Sequence, residues 1–134
     1  MANYYGTSRS NYFKVKNKEK FKELCAVLDV EMIERDDLVG FICSHSEDGS
    51  LPSYVYNEKT QDHEDINLCQ MIAPHLRKGQ VAVMVEAGAE KHRYVHGFAL
   101  AVNWQGKEES VYTGQIYDLV IKNLGVKKVT KAEY

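Results

Sequence analysis

Among its 134 residues this sequence has only two prolines, one tryptophan and three cysteines. Cys25, Cys43 and Cys69 are widely spaced and odd in number, which argues against a disulfide framework and against a CxxC zinc or redox site. They are expected as reduced thiols, with Cys25 and Cys69 acting as small hydrophobes among apolar helix positions. Long apolar runs are also missing: stretches such as Gly97 to Val102 fall far short of the ~20 residues that cross a bilayer. Met1 to Gly6 lacks the charged and apolar regions of a secretory signal, so a cytoplasmic location is expected. No GxSxG, GxGxxG, Walker A or HExxH pattern occurs. No catalytic residue, metal ligand set or cofactor is therefore assigned.

What is present is an ordinary globular balance, 44% hydrophobic and 27% charged, which favours one domain over residues 1–134 rather than a disordered chain. A chain of this size buries roughly two-thirds of its unfolded surface, enough for one real core. The formal net charge is -2, but its distribution is uneven. Arg9, Lys14, Lys16, Lys18, Lys20 and Lys22 face only Glu19 in sequence, whereas Glu47, Asp48, Glu58, Asp62, Glu64 and Asp65 face only Lys59, so the molecule is expected to be polarised.

Residues 1–9 read as an irregular arm. Ser10 to Lys16 alternates, with Phe13 and Val15 on one side, as a half-buried strand does. Asn17 can cap a short helix whose Phe21, Leu24, Cys25 and Leu28 form one stripe. Val30 to Arg35 and Leu38 to Ser44, separated by Asp36 and Asp37, read as a hairpin. Residues 45–53 form a polar loop, Tyr54 to Tyr56 a short edge strand beside Pro52, and Asn57 to His63 a second polar stretch. Glu64 to Arg77 has helical spacing, acidic at its start and basic at its end, with Pro74 forcing a kink or break near Ile72 and Gly79 ending it.

Gln80 to Glu86 and His92 to Trp104 read as two strands joined across Ala87 to Glu90. Tyr94, His96, Phe98, Leu100, Val102 and Trp104 share one face of the second strand, and Val95, Gly97, Ala99 and Ala101 the other. The small residues invite a close helix, so helices are expected to cover that second face. After a polar stretch, Thr113 can cap a last helix carrying Ile116, Val120 and Leu124, ended by Gly125. Residues 126–134 are a tail. The fold class expected is α+β, a mainly antiparallel sheet of about five to six strands with about three helices packed on one face.

Each candidate site has a plainer reading beside it. His92 and His96 have the i,i+4 spacing of a helical zinc clamp, but on a strand four residues span about 13 Å, which separates them. Asp62, His63, Glu64 and Asp65, with His45 and Asp48, could hold a cation if the polar loops converge; otherwise they are a solvated acidic surface. Cys43 with His45, or Cys69 with His75, would support nucleophilic chemistry only if they met beside an activating third group. Arg9, Lys14, Lys16 and Lys18, interleaved with tyrosines, suit phosphate contact and base stacking, whereas the pI of 6.2 is low for a dedicated nucleic-acid binder.

Nine tyrosines are the most distinctive feature of the composition, and tyrosine suits interfaces because a rigid apolar ring carries a polar tip. Tyr4, Tyr5, Arg9, Tyr12, Tyr54 and Tyr56 fall in segments expected to be exposed. Three stretches, Tyr5 to Val15, Glu86 to Phe98 and Thr130 to Tyr134, resemble a family of small uncharacterised proteins encoded on bacterial phages, plasmids and conjugative elements. The resemblance implies a mobile-element setting, and with it Glu90, Lys91, Arg93 and Tyr94 join the contact candidates. The function expected is a non-enzymatic protein-binding module, an inhibitor of host defence of the anti-CRISPR or antirestriction kind. A nucleic-acid-binding accessory protein using Arg9 to Lys22 is the alternative, and an unrecognised Cys/His enzyme the third reading. The partner expected is another protein, with self-association left open.

Overall fold

The computed structural model describes residues 4–43, 49–90 and 94–132. In chain order its elements are β1 (Tyr4–Ser10), α1 (Lys18–Leu28), β2 (Glu31–Arg35), β3 (Leu38–Ile42), β4 (Tyr54–Asn57), β5 (Asp62–Asp65), α2 (Leu68–Ile72) with a 3-10 turn (Ala73–His75), β6 (Val81–Glu90), β7 (Tyr94–Asn103), β8 (Glu108–Tyr112) and α3 (Gln115–Asn123). Six strands form one antiparallel sheet in the order β2-β3-β1-β6-β7-β8, and β4 and β5 form a separate two-stranded ribbon. The fold is thus α+β with a mainly antiparallel sheet, as the pattern of the sequence implies.

The hairpin of β6 and β7 is the spine of the molecule, ten residues on each strand, with Val81 opposite Asn103 and Glu90 opposite Tyr94. Pairing through β1, β6, β7 and β8 puts even-numbered residues on one face of the sheet and odd-numbered residues on the other. The even face is the covered one. Ser8, Ser10, Ala82, Met84, Glu86 and Val102 are buried there. Against it pack Phe21, Leu24, Cys25 and Leu28 of α1, Leu68, Cys69 and Ile72 of α2, and Leu76. Phe13 and Phe21 meet edge to face at 5.5 Å in this core.

Local chemistry sets the helix ends. The Asn17 side chain accepts from Lys20 N at 3.1 Å, and Asn67 caps α2 in the same way through Gln70 N. Pro74 cannot continue the α2 hydrogen-bond ladder, and the chain tightens into the 3-10 turn directly after Ile72, where the break is expected. The turn between β2 and β3 uses Asp36 at φ 57°, a left-handed conformation that aspartate tolerates.

Several expectations need correction. The supposed arm contains β1, an interior strand between β3 and β6. Its inward positions, Tyr4, Gly6, Ser8 and Ser10, are small or polar, which hides its alternation. Phe13 and Val15 make only isolated bridges, to Val39 and Leu76, so Ser10 to Lys16 is not a continuous strand. Asp62 to Asp65 pairs with β4 instead of starting a helix, and α2 begins at Leu68. Ala87 to Glu90 belongs to β6 and makes no turn; the connection passes to residues 91–93, outside the described residues. Glu108 to Tyr112, read as a polar stretch, is β8. Thr113 does not cap α3, because its Oγ1 accepts from Gly97 N at 3.3 Å and holds the end of β8 against β7.

The largest correction concerns the face that the helices cover. They pack on the side of Phe98, Leu100 and Val102, and the Val95, Gly97, Ala99 and Ala101 side carries none of the buried core. Large side chains remove more apolar area from water, at roughly 25 cal/mol per Å², so they decide which face is covered. The three helices expected are all present, the buried helical residues coming from α1 and α2 and none from the nine residues of α3.

Candidate interaction surface and the Glu86 cluster

The odd face of the sheet is apolar and open. Solvated faces of antiparallel sheets ordinarily carry polar side chains. Here Tyr5 is 69% exposed, Val95 68%, Val111 59% and Val85 48%, with Val83, Ala87, Ala89, Ala99 and Ala101 between them. A contiguous apolar patch of this kind marks an interaction site more often than an accident of composition. At one flank two guanidinium groups lie over the Tyr12 ring, Arg9 at 5.6 Å and Arg35 at 4.7 Å from its centroid. α3 adds exposed Ile116, Leu119 and Ile121 beyond the end of β8, and Leu124 follows at its C-cap.

On the opposite, covered face lies a cluster absent from the sequence reading. Glu86 is buried, its side chain only 6% exposed. Its Oε1 accepts from Leu51 N at 2.6 Å, and its Oε2 accepts from the Tyr4 hydroxyl at 3.1 Å and lies 3.4 Å from His96 Nε2. The Tyr4 ring stacks on the His96 ring at 4.8 Å, nearly parallel. Gly6 and Gly88 flank the phenol, and a Cβ on either would stand 2.7 or 2.5 Å from Tyr4 Cζ. Ser8 Oγ donates to Gly49 O at 2.6 Å, a second link between the sheet and the segment that carries Leu51. The carboxylate thus works as a latch holding a loop to β6. Its signal in the sequence is parity: after Ala82 and Met84, Glu86 falls on the inward side, where a carboxylate needs donors.

The ten contact candidates separate into distinct places. Tyr5 and Arg9 stand on the open face, with Tyr12 beside them. Tyr54 and Tyr56, 56% and 57% exposed, sit on the β4–β5 ribbon with the His63 ring against both. Tyr4 is taken up by the Glu86 cluster. Glu90 and Tyr94 pair at the tip of the hairpin, where Tyr94, His96, Phe98, Tyr112, Tyr117 and Lys131 line an open cleft of about 860 Å³. Lys91 and Arg93 lie outside the described residues.

The basic stretch is likewise divided. Lys14 pairs with Asp37 at 3.4 Å and Lys18 with Glu34 at 3.5 Å, exposed contacts of about 0–1 kcal/mol each. Lys16 runs beside the 3-10 turn, its N–H donating to His75 O at 2.9 Å. Of the acidic cation candidates, Asp62 to Asp65 alternate along β5, while His45 and Asp48, like His92, fall outside the described residues. No group of three or more potential metal-ligating side chains converges among the described residues.

The thiols are buried and unactivated. Burial pushes Cys25 up to about 11, with Cys43 adding to it, and burial pushes Cys69 up to about 11, helped by Glu108. Cys43 is raised by burial and by Glu86, against a lowering hydrogen bond with Ser8. A thiolate nucleophile at neutral pH is disfavoured at all three. In linkage terms the folded chain keeps protons that the unfolded chain releases near 9.0, so this stability is intact below pH 9 and is lost as pH rises through about 11. Thiol-reagent titration at pH 8 should therefore leave Cys25 and Cys69 unmodified in the folded protein and label them in urea. Labelling at equal rates in both states would contradict this.

Comparison with family models, with curated proteins and with solved structures returned no match.

Proposed function

We propose that this chain is a non-enzymatic protein-binding module whose interface is the open face of the six-stranded sheet. The observation that carries the proposal is the exposure of Tyr5 and Val95 in one register row and of Val85 and Val111 in another, on a face against which none of the described helices packs a buried residue. An apolar surface of this extent is stabilised by association with another apolar surface. Against a phosphate-binding track stands the pairing of Lys14 and Lys18 with carboxylates. Against Cys/His catalysis stands the burial of every thiol, which raises its pKa and keeps it protonated.

In the mobile-element setting implied by the resemblance of Tyr5 to Val15, Glu86 to Phe98 and Thr130 to Tyr134, a module of this kind acts by occluding a host defence protein. Paired captures from a bacterial lysate test the interface. Wild-type protein should retain a defined protein that Val95→Glu loses, because a charge placed at a 68% exposed position disturbs association without disturbing the core. Equal retention by both baits would remove the sheet face as the contact for a host protein. Expression in a restriction- or CRISPR-proficient host should raise the plating efficiency of a targeted phage, and Val95→Glu should abolish that gain.

A further inference from the structure

This inference rests on the reading of the open face as a protein interface and concerns its occupant. We infer that, in the protein by itself, this face is taken by a second copy of the same chain, stacked sheet against sheet about a two-fold axis parallel to the strands, which a host protein then displaces. Three features of the face point to this partner.

The first is shape. The middle of the face, on β6 and β7, carries short side chains such as Val83, Ala87, Gly97 and Ala99. Two such layers can approach to about the 10 Å spacing of stacked sheets. Stacking requires matched twist, and a second copy has the same twist by identity. The second is area. β1, β6, β7 and β8 present a surface about 15–19 Å wide and about 30 Å long, or roughly 500 Å² per copy and about 1,000 Å² together, which reaches the threshold of a specific interface.

The third is charge. Arg9 on β1 and Glu109 on β8 are both exposed odd-face residues, each about 7 Å from the midline between β6 and β7 on opposite sides. An axis along the strands at that midline carries β1 of one copy over β8 of the other. Arg9 is in register with Val111 through Val85 and Ala99, which puts the Glu109 backbone two residues along the strand, within an arginine's reach. The symmetry makes this pairing twice. An axis across the strands would instead set the Arg9 and Arg35 flank against itself, and like charges facing each other oppose association.

Within one chain Arg9 and Glu109 are separated by three strand spacings, about 14 Å, so they cannot pair directly. A charge exchange therefore reports contact between copies. In sedimentation equilibrium at physiological ionic strength the expected mass is twice 15.3 kDa. Val85→Glu, at an exposed position, should give a folded monomer with an unchanged circular dichroism spectrum. Arg9→Glu and Glu109→Arg should each weaken the dimer about tenfold, and the double variant should recover most of that loss.

A wild-type chain that stays monomeric at millimolar concentration overturns the inference, as does a dimer indifferent to Val85→Glu or charge variants without mutual rescue. If the chain is monomeric while the Val95→Glu capture still differs from wild type, the occupant is wrong and the interface reading stands. If the captures also match, both fall.

Discussion

Replacing Glu86 by alanine is expected to lower the free energy of unfolding by about 3 kcal/mol, among the largest losses available to a single substitution in this chain. The carboxylate is the acceptor for Leu51 N and the Tyr4 hydroxyl, and it lies against His96. Alanine takes the acceptor from Leu51 N in a place where water is scarce, at about 1–3 kcal/mol for an unsatisfied group, and removes the bond that the Tyr4 hydroxyl donates to Oε2. It also leaves a void beneath the Tyr4 ring. Glu86→Gln keeps the shape and one carbonyl oxygen, so its loss should be roughly half as large. Urea unfolding followed by circular dichroism measures both. A Glu86→Ala protein as stable as wild type would show that the loop bearing Leu51 is held by something else.

Gly88→Ala should cost about 2–3 kcal/mol in the wild-type background and little in a Tyr4→Ala background. Gly88 needs no unusual backbone conformation; what forbids a Cβ is the Tyr4 ring, 2.5 Å from where that atom would stand. With the ring already removed, the methyl group has room. Gly6→Ala should follow the same rule, since its Cβ would meet the same ring at 2.7 Å. A coupling energy of about 2 kcal/mol between positions 4 and 88 is the expected reading of the double-mutant cycle. Additive effects would mean that the ring does not occupy the cradle in solution.

Much of the fold is legible where side-chain period and burial agree. Phe21, Leu24, Cys25 and Leu28 form the buried stripe of α1, with Asn17 as its cap, both read directly from spacing. The β2–β3 hairpin follows from two apolar stretches about Asp36 and Asp37, and the pairing of β6 with β7 from alternation, although Ala87 to Glu90 extend the strand instead of turning it. Where local pattern and tertiary role part, the reading fails. β1 hides its period because Gly6, Ser8 and Ser10 face a crowded interior, and β5 because all four of its residues are exposed. β8 is exposed along its whole length and joins the sheet by backbone pairing, with Glu108 also accepting from Asn67 and Gln70.

The candidate surface was half visible. Tyr5, Arg9 and Tyr12 emerge together at the open face, while Tyr54 and Tyr56 lie on another ribbon and Tyr4 is turned to Glu86. Of the residues that give that face its apolar character, Val85 reads from sequence as an ordinary strand residue, Val95 as one beneath a helix and Val111 as part of a polar stretch. Only knowing which face the helices take identifies them as exposed.

Taken alone, the order of residues settles the elements whose free energy is local: a capped helix, the tight β2–β3 hairpin, the proline break after Ile72, and hence an α+β chain. The tertiary structure decides which side of the sheet is covered and which residues meet at Glu86. The first choice depends on the total apolar area that Phe98, Leu100 and Val102 bring to one face against the small residues of the other, a sum over several strands. The second joins residues 4, 51, 86 and 96, and contacts so distant along the chain leave no periodic trace in it.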